Sequence, residues 1–565
     1  MELIDSRRLT GLNLQHPKAG AVAEVQFNES DDIESCLAAW RQAVDGFCDA
    51  LGWASVPKII RRYEGGASLV LEAPIDVLYA TTEINEWAVQ VVSGDAPSLE
   101  TVLPRVQASI DEESNPSLLE LEKACHARGV PFVWDDDEVS VGMGVNAQVW
   151  PSREVPQVSM VAWERVSSVP VAYVTGTNGK TTTTRMTAQI LRSAGWRPGT
   201  TSSDGVVVDG KELEQGDWTG TGAARMVLRH PEVDIAILET ARGGLLRRGL
   251  VTDRCDAALI TNIANDHMGE YGIVTMEDMA EAKGIVCRAV RPDGRRILNA
   301  DDPLLRSLGL RTGPPVCWFS LHPPVGWLQE HIDSGGDAWV QEDGWLVFYS
   351  SDERTPILPV IEIPACHGGA AQHNVANALG AAALSHVLGA SFAQIKAGLS
   401  AFGLAVEDNP GRCHIEQHCG VRLLLDFGHN PHGVRAILTM AGQMRGDGQA
   451  RLSVSVGQAG DRSDDDLREL AKAVWEARPD RVSLREVPGY ERGRAVGEVV
   501  SLMKAALLEL GQSESSIVHH GDEVSAMEDT LEWANEGDLV FHLVHMERGV
   551  IRELLDKRLA GSIES

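Results

Sequence analysis

Basic residues are in short supply in this chain: 50 lysines and arginines face 81 aspartates and glutamates, a formal net charge of −31. Polyphosphate backbones and anionic lipid surfaces are gripped by basic surface, so nucleic-acid and membrane-surface partners are excluded as the main business of the protein. There is no run of about 18 apolar residues, so no segment is expected to span a bilayer. The opening Met1-Glu2-Leu3-Ile4-Asp5 lacks a basic stretch followed by an apolar one, and no signal peptide is expected there. The nine cysteines are odd in number and scattered from Cys36 to Cys419, the pattern of reduced thiols in a cytoplasmic protein. The tightest grouping, Cys413-His414 with His418-Cys419, lies in an alternating stretch that puts its ligands on two faces, which disfavours a tetrahedral zinc site.

What the chain does have is the apolar content of a folded protein, 43% against 23% charge, spread over 565 residues. That length is too great for one core. Residues 1–164 mix helix and strand signals and are expected to form an α+β domain, with substrate binding as its candidate role. Ala21–Val25 and Leu69–Glu72 read as strands, Ile33–Leu51 as an amphipathic helix, and Thr82–Val92 as either a strand or a short helix. Arg7-Arg8 and the run Asp135–Glu138 both read most simply as solvated charge. Residues 165–410 alternate strand and helix, the signature of a parallel sheet with crossover helices, with strand candidates at Val169–Val174, Ile235–Glu239, Ala257–Ile263 and a short fourth at Arg296–Leu298. Residues 411–565 repeat that alternation on a smaller, Rossmann-like scale, with strands at Arg422–Asp426, Leu452–Val456, Arg481–Leu484 and Leu539–Leu543.

The stretch Val171 to Thr184 organises the rest. An apolar strand, Val169–Val174, breaks at Thr175-Gly176-Thr177-Asn178-Gly179 and resumes as Lys180-Thr181-Thr182 in a helical pattern. Glycines let the backbone approach an anion, the N–H groups and helix dipole favour it, Lys180 supplies charge to the β/γ-phosphates and the Thr181 hydroxyl suits Mg²⁺. Two residues separate the glycines here, where the usual phosphate loop has four.

Ligands of such sheets gather at the carboxyl ends of strands. Glu239 ends the apolar run Ile235–Leu238, and His267 follows Leu259–Ile263 within one short loop, a plausible pair for Mg²⁺, with the His the weaker half because Mg²⁺ prefers oxygen. Downstream, Lys283 falls on the apolar stripe of Met276, Met279, Ala280, Val286 and Cys287. An inward lysine is costly unless paired or altered; carbamylation by CO₂ is one resolution, and snorkelling to the helix edge is the other. Asn374 and Asn377, on an alanine-rich helix beginning at His373, suit either an adenine edge or helix capping. His545 and Glu547 follow the last strand with no role the pattern assigns.

These motifs together resemble the Mur ligase family, and within it the Mur-like half of cyanophycin synthetases, from about residue 165 to the C-terminus. The residues that carry the resemblance are Gly176–Thr182, Leu238–Arg247, Thr261–His267, Asn299–Pro303, His373-Asn374, Asn409–Arg412, Asp426–Pro431, Gly457–Asp461 and Arg492–Arg494. Residues 1–160 are more weakly similar to the N-terminal domain of those synthetases. The resemblance implies an ATP- and Mg²⁺-dependent amide ligase that activates a carboxylate as an acyl phosphate for attack by an amino-acid amine, releasing ADP and phosphate. It implies that Gly176, Thr177, Asn178, Gly179, Lys180, Thr181 and Thr182 hold the phosphates. It also implies that Thr181, Glu239, His267 and a carbamylated Lys283 serve the metal, and that Asn374 meets adenine, Arg412 the nucleotide and Asp426 the ribose. Amino acids and peptide-like carboxylates are the implied substrates, the cytoplasm the implied location, and self-association is left open. Cyanophycin synthetases carry an ATP-grasp ligase ahead of the Mur-like half, and this chain passes almost directly from its first region to the phosphate loop, so a single ligase site is expected. A folylpolyglutamate-type ligase and a non-catalytic nucleotide-binding subunit are the alternatives. Asp408–Arg412 is superficially similar to a diaminopimelate-recognition motif but precedes the Asp426 strand, and is not read as substrate recognition.

Overall fold

In the computed structural model, residues 1–53, 56–266, 268–351, 353–445 and 450–563 are described. The centre is an eleven-stranded sheet. Its heart is a run of parallel strands in the order Pro198–Ser202, Ile235–Glu239, Val171–Thr175, Cys255–Ile260, Val290–Asn299, Val316–Ser320 and Asp337–Glu342. Antiparallel strands extend both edges, Gly205–Val208 and Lys211–Gln215 on one side, Trp345–Ser350 and Glu353–Pro359 on the other.

The parallel strands read as continuous apolar runs because both faces are covered. Val171 and Tyr173 enter one core while Ala172 and Val174 enter the other, and Ala236/Leu238 and Ile235/Ile237 divide in the same way. This period of two fixes the strand's register, since a slip of one residue would exchange the two faces. Val171–Thr175, the first parallel strand in the chain, lies between Ile235–Glu239 and Cys255–Ile260, so its carboxyl end opens at a topological switch point. Helix Lys180–Ser193 leaves from that end and packs under Gln372–Val387 and Phe392–Ala401. The approach is close: a Cβ on Gly398 would sit 2.5 Å from the Cα of Ile190.

A six-stranded sheet follows, in the order His414–His418, Val421–Asp426, Leu539–Leu543, Leu452–Val456, Arg481–Arg485 and Ile517–His520; only the first pairing is antiparallel. Ahead of the central sheet stand a four-stranded antiparallel sheet (Glu2–Leu9, Gly20–Gln26, Gly66–Glu72 and Lys58–Tyr63, in spatial order) and a three-stranded one from Phe132 to Pro151. Helices Ile33–Leu51, Leu78–Ser93 and Leu99–Glu113 cover the four-stranded sheet around Trp40, Phe47 and Trp87.

One open expectation is resolved, one is extended and one is corrected. Thr82–Val92 belongs to helix Leu78–Ser93, which buries Ile84, Trp87, Ala88 and Val89 at helical spacing. The strand expected over Arg296–Leu298 extends from Val290 to Asn299, its first half hidden from the apolar count by exposed Arg291, Pro292 and Asp293. Arg7 and Arg8 are not solvated charge, and the acidic run, exposed at Asp136, Asp137 and Glu138, still engages arginines from other elements. Arg7 is buried and paired with Glu24 at 2.7 Å, Arg8 grips both oxygens of Asp136 at 2.9 Å, and Asp135 receives Arg229 at 2.6 Å. Each pair spans a large sequence separation, which no local charge pattern shows.

Filling the helix contact with Gly398→Val is expected to destabilise the chain by about 1–3 kcal/mol through overpacking against Ile190, read as a lower midpoint in chemical denaturation.

Candidate active site

The loop after Val171–Thr175 takes the shape its glycines permit. Gly176 has φ 144° and Gly179 φ 85°, both left-handed, and each lies against a side chain that leaves no room for a Cβ: Thr261 Oγ1 would be at 1.9 Å and Asn377 Oδ1 at 2.2 Å. The loop is held from the neighbouring strand end. Thr177 N donates to Asn262 O at 2.9 Å, Asn178 N to Asn262 Oδ1 at 3.0 Å, and Thr261 Oγ1 and Asn262 Nδ2 both donate to Asn178 O, at 2.6 and 3.0 Å. Lys180 folds back to donate to Thr177 O at 2.9 Å.

Around this loop lies a cleft of about 1640 Å³ between the central and last sheets. It is lined by Gly176–Thr182, Glu239, Lys283, Asn374, Arg412 and Asp426, so the residues singled out by sequence converge, apart from His267, which lies outside the described residues. Its neighbour Asp266 also lines the cleft and takes Arg462 at 2.7 Å.

Two ionisable groups on the cleft floor are unusual. Glu239 is 2% exposed, and neither carboxylate oxygen has a hydrogen-bond partner among the described residues. Burial pushes its carboxyl up from the ordinary range, against the pull of the Lys180 and Arg412 charges and of the Thr181 hydroxyl, which stands close by without hydrogen-bond geometry. The Thr181 and Ser203 hydroxyls stand 3.1 Å apart beside the same floor. An orphaned carboxylate with two hydroxyls is an oxygen donor set that fits a hard divalent cation. Lys283 is 4% exposed and donates to Gly176 O at 2.9 Å, so the snorkelling alternative does not hold. Burial first, then the neighbouring Lys180 charge, lowers its amine to about 7.

The opposite wall is built around Asn374, Asp426 and Arg412. Asn374 donates to Ala365 O at 2.8 Å and accepts from Asn377 at 3.1 Å. Asp426 accepts Cys413 N and Gly428 N, each at 2.6 Å, and burial raises its carboxyl from the ordinary range. Arg412 donates to Ser203 Oγ at 3.0 Å, and the guanidiniums of Arg412 and Arg548 lie 4.7 and 5.2 Å from the Phe427 ring centroid. Thr182 turns its hydroxyl to Asn409 rather than into the loop. The two sheets meet across this cleft through the reciprocal amides of Asn178 and Asn430, at 2.9 and 3.2 Å.

Sequence reading missed Ser203, Thr261, Asn262 and Asn430 as individual contributors, because polar residues in loops carry no periodicity. It also left His545 unassigned. His545 Nε2 meets Gly428 O at 3.1 Å, its Nδ1 lies 3.4 Å from Arg485, and Glu523 accepts the backbone N–H groups of His545, Met546 and Glu547. Arg485 and Glu523, both buried, pair at 3.1 Å. This network underpins the Asp426–His429 loop from below.

The arrangement is a cleft between two parallel-stranded sheets, floored by a glycine-rich turn, a buried carboxylate and a buried amine. The Mur ligase middle domain matches residues 174–385, and the Mur ligase glutamate ligase domain matches 411–543. The chain belongs to the Mur ligase family. Cyanophycin synthetase of Crocosphaera subtropica is 36% identical over 413 residues, covering 71% of this chain and 46% of its own. That of Synechocystis is 36% identical over 410 residues, with the same coverage. The chain thus spans about half the length of these curated relatives. The fold is shared with a ligand-free bifunctional folylpolyglutamate synthase/dihydrofolate synthase of Yersinia pestis (TM-score 0.51, 22% identity, 68% of this chain and 90% of that one). It is shared too with the same kind of enzyme complexed with AMPPNP and a Mn ion (TM-score 0.50, 22% identity, 68% and 88%).

Removing one member of a buried pair strands the other charge. Arg485→Met is expected to cost about 3–5 kcal/mol in chemical denaturation, and adding Glu523→Gln to recover part of that loss.

Proposed function

We propose that this chain is an ATP-dependent amide ligase that turns a substrate carboxylate into an acyl phosphate and joins it to an amino-acid amine. The observation that carries the reading is the convergence of Lys180, the unpartnered Glu239 carboxylate and the buried Lys283 around one glycine-rich turn. The division into units 1–164, 165–410 and 411–565 is part of the proposal, the last two forming the walls of the cleft.

In this reading ATP enters as substrate. The N–H groups of Gly176–Thr182 and the Lys180 ammonium hold the β- and γ-phosphates. Asn374 meets the adenine edge, Asp426 the ribose, and Arg412 the phosphate side of the nucleoside. Mg²⁺, held by Thr181 and Glu239 with His267 and Lys283, would neutralise the phosphate charge that builds up on transfer. The acceptor carboxylate attacks the γ-phosphorus, the bond to the β-phosphate oxygen breaks, and ADP leaves. The amine then attacks the acyl carbon and expels inorganic phosphate, losing its proton as the amide forms. Most of the protein's contribution is alignment and charge neutralisation in a water-poor cleft.

An amine lowered to about 7 is substantially neutral at cellular pH. Neutral Lys283 attacks CO₂ through its nitrogen, a C–N bond forms, a proton leaves to solvent, and the product is a carbamate. That reaction puts an anion where a largely neutral amine stood, beside the proposed metal site. Substrates are amino acids and peptide-like carboxylates, and the working compartment is the cytoplasm, where ATP is supplied. Among the described residues, no helix is long and apolar enough to cross a membrane.

Lys180→Ala is expected to abolish amine-dependent ADP release, measured against a matrix of amino acids and short peptides. Nucleotide binding with no amine-dependent turnover in the native chain would instead favour a binding subunit. Lys283→Ala is expected to be inactive and partly restored by acetate or another short carboxylate; full activity without additive would rule out a role for the carbamate.

A further inference from the structure

The helix that carries Lys283 is anchored from outside the two sheets that form the cleft. Met276–Lys283 starts at a capping box: Asp278 N donates to Thr275 Oγ1 at 3.0 Å, and Asp278 Oδ2 accepts Thr275 N at 3.0 Å and Val274 N at 3.2 Å. The remaining oxygen, Oδ1, takes Arg61 Nη2 at 2.5 Å, and Arg61 Nη1 donates to Gly272 O at 3.0 Å. Arg61 belongs to strand Lys58–Tyr63 of the four-stranded sheet. Tyr63 on the same strand covers Gly272 so closely that a Cβ there would lie 2.3 Å from its ring.

The turn between, Glu270–Gly272, is held in a conformation it would not choose alone, with Tyr271 at φ 54°. Arg7, on strand Glu2–Leu9, stacks 4.5 Å from the Tyr271 ring centroid and donates through Nε to Leu246 O at 3.1 Å. Arg247 Nε donates to the Tyr271 hydroxyl at 2.9 Å. Glu270 pairs with Arg242, which lines the cleft, is 8% exposed, and has an Nη1 without a partner among the described residues. One clamp from the first sheet therefore reaches both short helices at the cleft floor: Arg242–Arg248, just beyond Glu239, and Met276–Lys283.

Exposed ion pairs hold little, about 0.2–1 kcal/mol. The Arg61–Asp278 pair is mostly covered, with side chains 16% and 20% exposed, and one guanidinium ties two points of the same segment. Lys283 lies five residues beyond Asp278 on a continuous helix, about 8 Å along its axis, so a shift of the cap is carried to the amine.

We propose that Arg61, supported by Tyr63 and Arg7, is a positioning residue of the ligase centre, and that the N-terminal sheet fixes the helix that presents Lys283. The catalytic half of this inference rests on the proposed ligase reading; the mechanical half does not. The test uses the full chain with Arg61→Ala, Arg61→Lys, Asp278→Asn, the Arg61→Ala/Asp278→Asn double variant, and Arg128→Ala as an exposed control in the same N-terminal region. Hydrogen exchange of the 271–283 amides is expected to accelerate about tenfold or more in Arg61→Ala, with helix Lys180–Ser193 unchanged. In steady state, kcat falls about tenfold while KM for ATP stays within about twofold, Arg61→Lys is intermediate, and the double variant is no worse than either single one.

Unchanged exchange, exchange that rises equally throughout the chain, or additive losses in the double variant would overturn the proposal. Should Arg61→Ala fail to fold, Arg61→Lys and Asp278→Asn carry the same readouts. If the native chain shows no amine-dependent turnover, the ligase reading falls while exchange still decides the clamp.

Discussion

A carboxylate and an amine, Glu239 and Lys283, are shut away from water on one cleft floor without pairing with each other. Desolvation disfavours the charged form of each, raising Glu239 and lowering Lys283. Neither arrangement is what stability alone would select, since an apolar pair of similar volume would pack there without penalty. Such a floor makes physical sense only if something charged arrives to satisfy it. The metal–triphosphate proposed for the glycine-rich turn would do so, bringing cationic charge to Glu239 and anionic charge to Lys180. The parallel sheet supplies the setting: both its faces are covered, so the strand end that bears Glu239 is dry by construction, while the adjoining loop opens at the switch point.

The parts of this that were legible beforehand are those written in a local period. Ile235 to Glu239 shows an apolar run terminating in an acid, and the stripe through Met276, Met279 and Lys283 shows an amine facing inward. The glycine-rich turn is equally local, because a backbone that must adopt positive φ beside Thr261 and Asn377 has to be glycine. What was not legible is polar and long-range. Ser203 reaches the site through a strand end, and Asn262 cradles the loop across 84 residues of sequence. Arg8 and Asp136 read as solvated because each is surrounded in sequence by other polar groups. Their pairing depends on two sheets meeting across 128 residues. Periodicity reports which face of an element is buried and is silent about which element will bury it.

The Asp426–His429 loop shows the same division at smaller scale. Its strand was readable from Arg422 to Asp426, yet what fixes the loop beyond it is the stack of Gly428, His545, Arg485 and Glu523, drawn from two loops, a strand and a helix. Burial drives the His545 imidazole down to about 3, so it serves as a neutral hydrogen-bonding wedge across the working pH range and adds no charge beneath the nucleoside wall. That neutrality matters next to Arg485, which already has Glu523 as its counter-ion.

A cleft whose two walls belong to different sheets can open and close only if its floor stays put. The walls here are joined directly to each other, by the Asn178–Asn430 amides and by the Arg462–Asp266 ion pair. The floor is tied differently, by guanidiniums from the first sheet to Asp278, Gly272 and Leu246. Charge-assisted bonds in partly covered positions are the stronger kind, so the proposed clamp would hold the helices of Lys283 and Arg242 from outside the cleft. In that division of labour the first sheet contributes to the chemistry without lining the cleft. In the proposed reading its value lies in keeping the helix of Lys283 in place beside the glycine-rich turn.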